Sequence, residues 1–92
     1  MIDQQDLVSM LREIASYERG FKQQAFDNAA SSIASLDKNR FEIFINEGKY
    51  SKLPGVGKSV SECIKEYKEN QTISRLDHLR EINNKLKYPD FS

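Results

Sequence analysis

The short segment Leu53-Pro54-Gly55-Val56-Gly57 contains the residues best suited to bind a ligand through backbone atoms. Gly55 and Gly57 can adopt backbone conformations with positive φ, and they place no side chain between the backbone and a ligand. The apolar spacing after Gly57 predicts a helix, whose first N–H groups point outward without partners. Such donors and the helix dipole together favour an anion. The segment therefore predicts a phosphate-binding hairpin, for which a DNA backbone phosphate is a suitable ligand.

The sequence Gly57-Lys58-Ser59 also resembles the end of a nucleotide-binding P-loop, GxxxxGK[ST]. That motif requires a glycine five residues before Gly57, where this chain has Lys52, and it requires a preceding strand. Because the residues before the hairpin have helical spacing, we reject the nucleotide-binding interpretation. A tight turn between two helices that binds no ligand remains as the structural alternative.

The charge of the chain is balanced, with 14 basic and 14 acidic residues, although nucleic-acid-binding proteins are often basic. The distribution is uneven, because residues 49–58 contain Lys49, Lys52 and Lys58 and no acidic residue. This local excess of positive charge surrounds the hairpin and favours an anionic partner. A solvated charged loop is the alternative interpretation of the same cluster.

The composition limits the classes of protein to which the chain can belong. Its 92 residues, 38% of them hydrophobic, predict one domain over residues 1–92 with one modest core. Cys63 and His78 are each alone, which excludes an intrachain disulfide and argues against a zinc site. No apolar run approaches the roughly 20 residues of a membrane-spanning helix, and no secretion signal is recognisable. We expect an intracellular protein in the nucleus, the bacterial cytoplasm or a viral replication site.

The apolar residues recur with helical spacing, and no segment alternates with period two. We predict a first helix over about residues 4–19, with Asp3 as its N-cap and Gly20 as a left-handed stop. Asp37 and Asn39 are expected to break the second helix. Its buried stripe consists of Phe21, Ala25, Phe26, Ala29, Ala30, Ile33 and Leu36.

A third short helix should end near Gly48, and a further helical turn should lead into the hairpin. The fourth helix follows the hairpin, with Asn70 as its stop, and Pro89 should end the fifth. The stripe of the fifth helix consists of Ile73, Leu76, Leu79, Ile82 and Leu86. The sequence therefore predicts an all-α fold, a compact bundle of four to five short helices with one helix-hairpin-helix motif.

With the hairpin and helices in place, the sequence resembles the N-terminal helix-hairpin-helix domain of family X DNA polymerases, the polymerase beta group. LPGVG followed by SVSECIKEY carries the resemblance at the hairpin. The segments LREIASYERG, FKQQAFDNAASSIASL and INEGKYSKLPGVG resemble the elements that precede the hairpin, and ISRLDHLREI resembles the helix that follows. The resemblance covers nearly all of residues 5–82.

In that family the domain binds the 5′-phosphate side of a DNA gap, so the resemblance implies a set of DNA-binding residues. Lys22 matches a phosphate-contacting lysine, Phe26 stands where a tyrosine is usual, and Arg75 keeps the charge of a basic position. The complete set of DNA-binding candidates is Lys22, Phe26, Lys52, Gly55, Val56, Gly57, Lys58, Ser59 and Arg75.

The resemblance also implies a cation site. The backbone carbonyls of Ser51, Leu53 and Val56 stand where the family can hold a monovalent cation, Na⁺ or K⁺. No other cofactor is expected.

Many members of the family also remove 5′-deoxyribose phosphate with a lysine that forms a Schiff base. Cys63 stands at that position, and a thiol cannot form an imine. Ser59 replaces a supporting lysine, and Lys65 lies about 200° around the helix from Cys63. We therefore assign no catalytic residue and expect Cys63 to be a small buried or half-buried thiol. The carboxylates for nucleotidyl transfer would lie on a separate palm domain, which this chain does not contain.

Three functions from different classes follow. The leading interpretation is a DNA-binding module that recognises a nick, a gap or a 5′-phosphate end without reading base sequence, in DNA repair or replication. It would act free-standing or beside the remaining domains of a polymerase. One alternative is a 5′-deoxyribose-phosphate lyase that uses a substitute lysine, Lys58 or Lys22. The other is a protein-interaction module whose hairpin has lost DNA binding.

Overall fold

The computed structural model describes residues 2–87, and the side chains of residues 2–84. This part of the chain contains no strand, which confirms the all-α fold and the bundle of short helices. The elements are α1 Gln4–Tyr17, α2 Phe21–Ala34, α3 Lys38–Glu47, a 3₁₀ turn Tyr50–Lys52, α4 Lys58–Asn70 and α5 Ser74–Lys87. Two residues named in the sequence predictions, the Leu86 side chain and Pro89, lie outside the described residues.

The first helix begins as predicted and ends earlier. The carboxylate of Asp3 accepts a hydrogen bond from the Gln5 N–H at 2.9 Å, which satisfies one free donor of the first turn. The prediction that Gly20 stops α1 is wrong, because the backbone is already extended at Glu18, with φ −97° and ψ 169°. Gly20 uses its positive φ of 65° as the N-cap of α2, so its conformational freedom serves the start of the next helix.

The boundaries between α2, α3 and α4 follow the predictions except at Asn39, which was expected to break the second helix. Asn39 does not break a helix, because Asp37 acts as N-cap of α3 and its carboxylate accepts a first-turn N–H at 2.8 Å. Asn39 therefore lies inside the first turn of α3. Gly48 ends that helix in the left-handed conformation, with φ 72° and ψ 7°. Asn70 is the last residue of α4, as predicted.

One cluster of buried side chains joins all five helices. Each large aliphatic side chain that leaves water here contributes roughly 1.5–3 kcal/mol to folding. The cluster consists of Leu7, Val8, Leu11, Ile14, Ala15, Phe26, Ala29, Ala30, Ile33, Phe41, Ile45, Tyr50, Val56, Val60, Cys63, Ile64, Tyr67, Ile73 and Leu76.

Two residues of the predicted buried stripes lie at the surface. Phe21 is 91% exposed and Ile82 is 42% exposed. Phe21 is the first residue of α2, where no helix of the described part covers its ring, although its spacing matches the buried stripe. Periodicity predicted the correct helix in both cases and the wrong burial of these two side chains.

Polar contacts between distant residues hold α1 in place. The Gln4 side chain donates from Nε2 to the Ile33 carbonyl in the last turn of α2 at 2.8 Å and to the Leu36 carbonyl just beyond that helix at 2.7 Å. The Tyr67 hydroxyl accepts from the Asp3 N–H at 3.2 Å and donates to the Asp6 carboxylate at 2.9 Å. Because these bonds join α1 to both α2 and α4, they fix the helices that carry the hairpin.

Among the described residues, no helix is long and apolar enough to cross a membrane.

Candidate nucleic-acid interface

The hairpin between the 3₁₀ turn and α4 is built around a tight turn. The Val56 N–H donates to the Leu53 carbonyl at 3.1 Å, and Gly55 has a φ of 87°. Pro54 before a glycine with positive φ, closed by this hydrogen bond, is the pattern of a type II turn. Gly55 therefore has the conformation that other residues adopt only with strain.

The inner side of this turn packs directly on α2. A Cβ atom at Gly55 would lie 3.3 Å from the Asn28 Cβ and 3.4 Å from the Asn28 backbone. Beside it, the Ser32 hydroxyl donates to the Pro54 carbonyl at 2.6 Å. The absence of a side chain at Gly55 thus lets the hairpin approach α2, and the hydrogen bond fixes it there.

The outer side of the hairpin leads into the first turn of α4. Gly57 is the N-cap, with an extended backbone at φ −90° and ψ −172° and no side-chain capping bond. A Cβ atom there would meet nothing within 4 Å. In the described part of the chain, the N–H groups of Gly57, Lys58 and Ser59 have no acceptor, as expected at the start of a helix. These donors and the dipole of the 13-residue α4 together favour an anion at this end of the helix.

The hairpin candidates divide into two kinds. Gly55, Gly57, Lys58 and Ser59 are exposed, so their backbone groups are open to a ligand. Val56 is only 6% exposed, and its N–H is used inside the turn. Its side chain packs in the core, so Val56 supports the shape of the hairpin.

Exposed lysines surround the open donors. Lys52 and Lys58 flank the hairpin, and neither has an acidic partner within the part that the structure describes. Lys22 is also exposed, on the first turn of α2. The structure therefore brings together at the hairpin the candidates that are close in sequence, and it places Lys22 on the helix that supports the hairpin.

The remaining two candidates lie against each other on the inner side of the bundle. Phe26 is 1% exposed, and the Arg75 guanidinium lies over its ring, 5.2 Å from the centroid. Arg75 also donates to the Glu18 carboxylate at 3.1 Å. Its Nε atom is buried and has no acceptor among the described residues. Both side chains thus contact protein groups.

Cys63 lies on α4, one helical turn beyond Ser59, and is 7% exposed. Burial raises the pKa of its thiol, although the nearby positive charge of Arg75 acts in the opposite direction. The thiol is therefore predominantly protonated at neutral pH and a poor nucleophile. This placement agrees with the small buried thiol that the sequence led us to expect.

The three carbonyls predicted to hold a cation lie on both sides of the tight turn. The Leu53 oxygen already accepts the Val56 N–H and retains a second lone pair. The Ser51 and Val56 oxygens have no hydrogen-bond donor within residues 2–87. Carbonyl oxygens without donors suit a hard cation. Elsewhere in the same residues, no group of three His, Cys, Asp or Glu side chains could hold a metal ion.

Three residues on α2 were missed by sequence reasoning: Phe21, Asn28 and Ser32. Asn28 and Ser32 position the hairpin, and only the tertiary approach of two segments reveals this. Phe21 is seven residues before Asn28, which places both on the same side of α2, about 10.5 Å apart along its axis. Its spacing placed Phe21 in the predicted buried stripe because an aromatic residue at helical spacing usually belongs to the core.

The family model described as helix-hairpin-helix domain matches residues 2–73, which include α1 through α4 and the hairpin. No curated protein and no solved structure matches the chain.

Proposed function

The chain belongs to the helix-hairpin-helix domain family, and this membership suggests sequence-independent DNA binding. From this premise we propose that the protein recognises a nick, a gap or a 5′-phosphate end in DNA repair or replication. The observation that carries the proposal is the row of open N–H groups at Gly57, Lys58 and Ser59 beside exposed lysines. Similarity to the N-terminal domain of family X polymerases supports the same assignment.

The chemistry of these donors favours contacts with the DNA backbone. Backbone N–H groups and lysines bind phosphate oxygens, which position a protein on DNA without revealing base identity. The described hairpin offers no planar side chain that could make a bidentate contact with a base edge in a groove. Binding through phosphates alone is therefore independent of sequence.

Phe21 supports recognition of a strand end over continuous duplex. Its ring is 91% exposed on the side of α2 that carries the hairpin. An exposed aromatic ring can stack on a base that has lost its neighbour, whereas the bases of continuous duplex are already stacked. A nick or gap supplies both a terminal phosphate and such a base.

A monovalent cation at the Ser51, Leu53 and Val56 carbonyls would add positive charge beside the bound phosphate. Replacing K⁺ with tetramethylammonium at constant ionic strength tests this part of the proposal. We expect weaker DNA binding, because the larger cation cannot fit among three carbonyls. Equal affinity in both salts would remove the cation from the proposal without affecting the backbone donors.

The lyase alternative lacks a suitable nucleophile on the inner face of α4. Cys63 is buried with a raised pKa and cannot form an imine. Lys58 and Lys22 are exposed on other surfaces. We expect borohydride to trap little covalent complex with a 5′-deoxyribose-phosphate end. Efficient trapping that disappears when one lysine is replaced would show instead that the lyase reaction has moved to that residue.

The central experiment measures binding to one-nucleotide-gapped DNA with and without a 5′-phosphate, and to continuous duplex of the same sequence, at several salt concentrations. We expect gapped, phosphorylated DNA to bind most tightly, with a log–log salt slope of about −2 to −4 for two to four phosphate contacts. A strong preference for base sequence at constant salt would contradict the proposal.

Phe21→Ala then tests the selectivity for strand ends separately from overall affinity. We expect the preference for gapped over continuous DNA to fall several-fold, because stacking is worth about 1–3 kcal/mol per base. Ile82→Ala is the matched control, since it removes another exposed apolar side chain far along α5. A similar loss of preference in both variants would assign the effect to general apolar surface.

A further inference from the structure

A second surface, the α3 cleft, lies beside the hairpin and is not used by the proposed DNA contacts except at its edge. Its floor consists of Leu36, Ile43, Phe44 and Leu53, and it encloses about 260 Å³. Ile43 is 55% exposed, although exposure of a large aliphatic side chain to water is unfavourable. The cleft is therefore an apolar depression that a partner could cover favourably.

The rim of the α3 cleft is predominantly basic. Arg40, Lys49 and Lys52 line it, with Glu47 as the acidic residue among the lining groups. The Arg40 guanidinium lies 3.7 Å from Asp37 in a highly exposed pair, which leaves its charge largely available. Lys49 and Lys52 have no acidic partner in the described part of the chain. In a protein with no net charge, this rim is a local positive field around an apolar floor.

We propose that the α3 cleft binds a short acidic peptide segment of a protein partner. One or two large apolar side chains of the peptide would enter the cleft, and flanking Asp or Glu side chains would face Arg40, Lys49 and Lys52. The volume suits such anchors, because it lies below the roughly 300–1,000 Å³ of pockets that hold whole small molecules. This function is additional to DNA binding.

The lining favours a peptide over a nucleic acid. Leu36, Ile43 and Leu53 are aliphatic and offer no ring on which a base could stack. Phe44 is half-buried, and its ring meets Tyr50 edge-on, with centroids 5.3 Å apart at 63°. Apolar anchors at helical or extended spacing with acidic neighbours are the segments that such a groove recognises. The basic rim steers their approach.

The test uses the whole protein and a phage-displayed library of random 12-residue peptides, followed by fluorescence anisotropy with synthetic versions of the selected sequences. We expect the selected peptides to share a Leu, Ile, Phe or Met flanked by Asp or Glu. Ile43→Glu should weaken their binding at least tenfold, whereas Ile82→Glu, the same change at another exposed isoleucine, should alter it less than twofold. Lys49→Glu should weaken it mainly at low salt. Circular dichroism and the milder Ile43→Gln separate lost binding from lost folding.

Several results would overturn the proposal. Selection of no peptide, or of peptides that still bind Ile43→Glu, would show that the cleft does not take a peptide. A loss of single-stranded oligonucleotide binding in Ile43→Glu without peptide enrichment would assign the cleft to nucleic acid. Self-association of the wild type that disappears in Ile43→Glu would assign it to a second copy of the chain. Gapped-DNA binding by Ile43→Glu is measured in parallel, so failure of this proposal is distinguishable from failure of the proposed DNA binding.

Discussion

The start of α4 at the hairpin and the region around Cys63, one turn further along the same helix, differ in what surrounds them. At the hairpin, the N–H groups of Gly57 and Lys58 have no acceptor in the described part of the chain, and the space beside the Gly57 Cα is open. One turn further along, Cys63 is covered, and Arg75 is held by Phe26 and Glu18. The same helix therefore has free backbone donors at its start and a closed region of packed side chains behind it. The free backbone donors and the buried Cys63 therefore lie in separate surroundings on one helix.

The largest expected effect on DNA binding comes from covering the free backbone donors at the start of α4. Gly57→Val should weaken binding to gapped DNA at least tenfold, because the new side chain stands between the phosphate and donors whose charged hydrogen bonds are worth about 1.5–3 kcal/mol each. The backbone at Gly57 suits any residue, and a Cβ there meets nothing within 4 Å. Chemical denaturation should show a stability change below about 1 kcal/mol. Unaltered DNA affinity would place the phosphate elsewhere.

In contrast to Gly57→Val, Gly55→Ala should mainly reduce the stability of the fold. With φ at 87° and Asn28 only 3.3 Å from the new Cβ, alanine is strained and crowded at once. We expect a loss of about 1–3 kcal/mol in the free energy of unfolding, measured by urea denaturation. A variant as stable as the wild type would mean that the hairpin can move away from α2.

Releasing Arg75 from its contacts in the closed region around Cys63 is expected to increase DNA affinity by a smaller factor. Glu18→Gln removes the carboxylate that holds Arg75 and frees a guanidinium whose side chain is 31% exposed. At low salt we expect DNA affinity to rise about two- to threefold, because one repulsive charge is lost and one attractive charge released. Arg75→Gln in the same background should abolish the gain. No gain at all would mean that Arg75 acts only through its contact with Phe26.

The smallest effect concerns the contact between α1 and α5 beside the closed region. Arg80 donates to both carboxylate oxygens of Glu13, at 2.5 and 2.7 Å, and mainly this bonding holds the pKa of Glu13 below its usual 4.5. A lowered folded-state pKa stabilises the fold above the unfolded pKa, and the contribution disappears as pH falls through the folded value. Arg80→Met should cost roughly 0.5 kcal/mol above pH 5, since both groups are partly exposed. As the pH falls from 4.5 through the lowered folded-state pKa of Glu13, the two proteins should converge in denaturation experiments, and a constant difference would exclude the ion pair as the cause.

The contrast between the two regions also marks what the sequence could predict. Helical periodicity gave the five helices, and Pro54 with two glycines gave the hairpin, because both depend on neighbours in the chain. The burial of Phe26 under Arg75 and the exposure of Phe21 depend on which helix packs where, and spacing alone contains no such information. For the same reason the use of the Val56 N–H within the turn was visible only in three dimensions.

The bonds of Tyr67 to Asp3 and Asp6 affect the order in which the protein forms during synthesis. The Asp3–Tyr67 contact joins residues separated by 64 positions. A ribosome that adds about 5–20 residues per second needs roughly 3–13 s to make the residues between them. During that interval α1 can pair with α2, which follows it directly, while Asp3 and Asp6 still lack the Tyr67 hydroxyl. The nascent chain therefore leaves these two groups of α1 without their partner until α4 has been made.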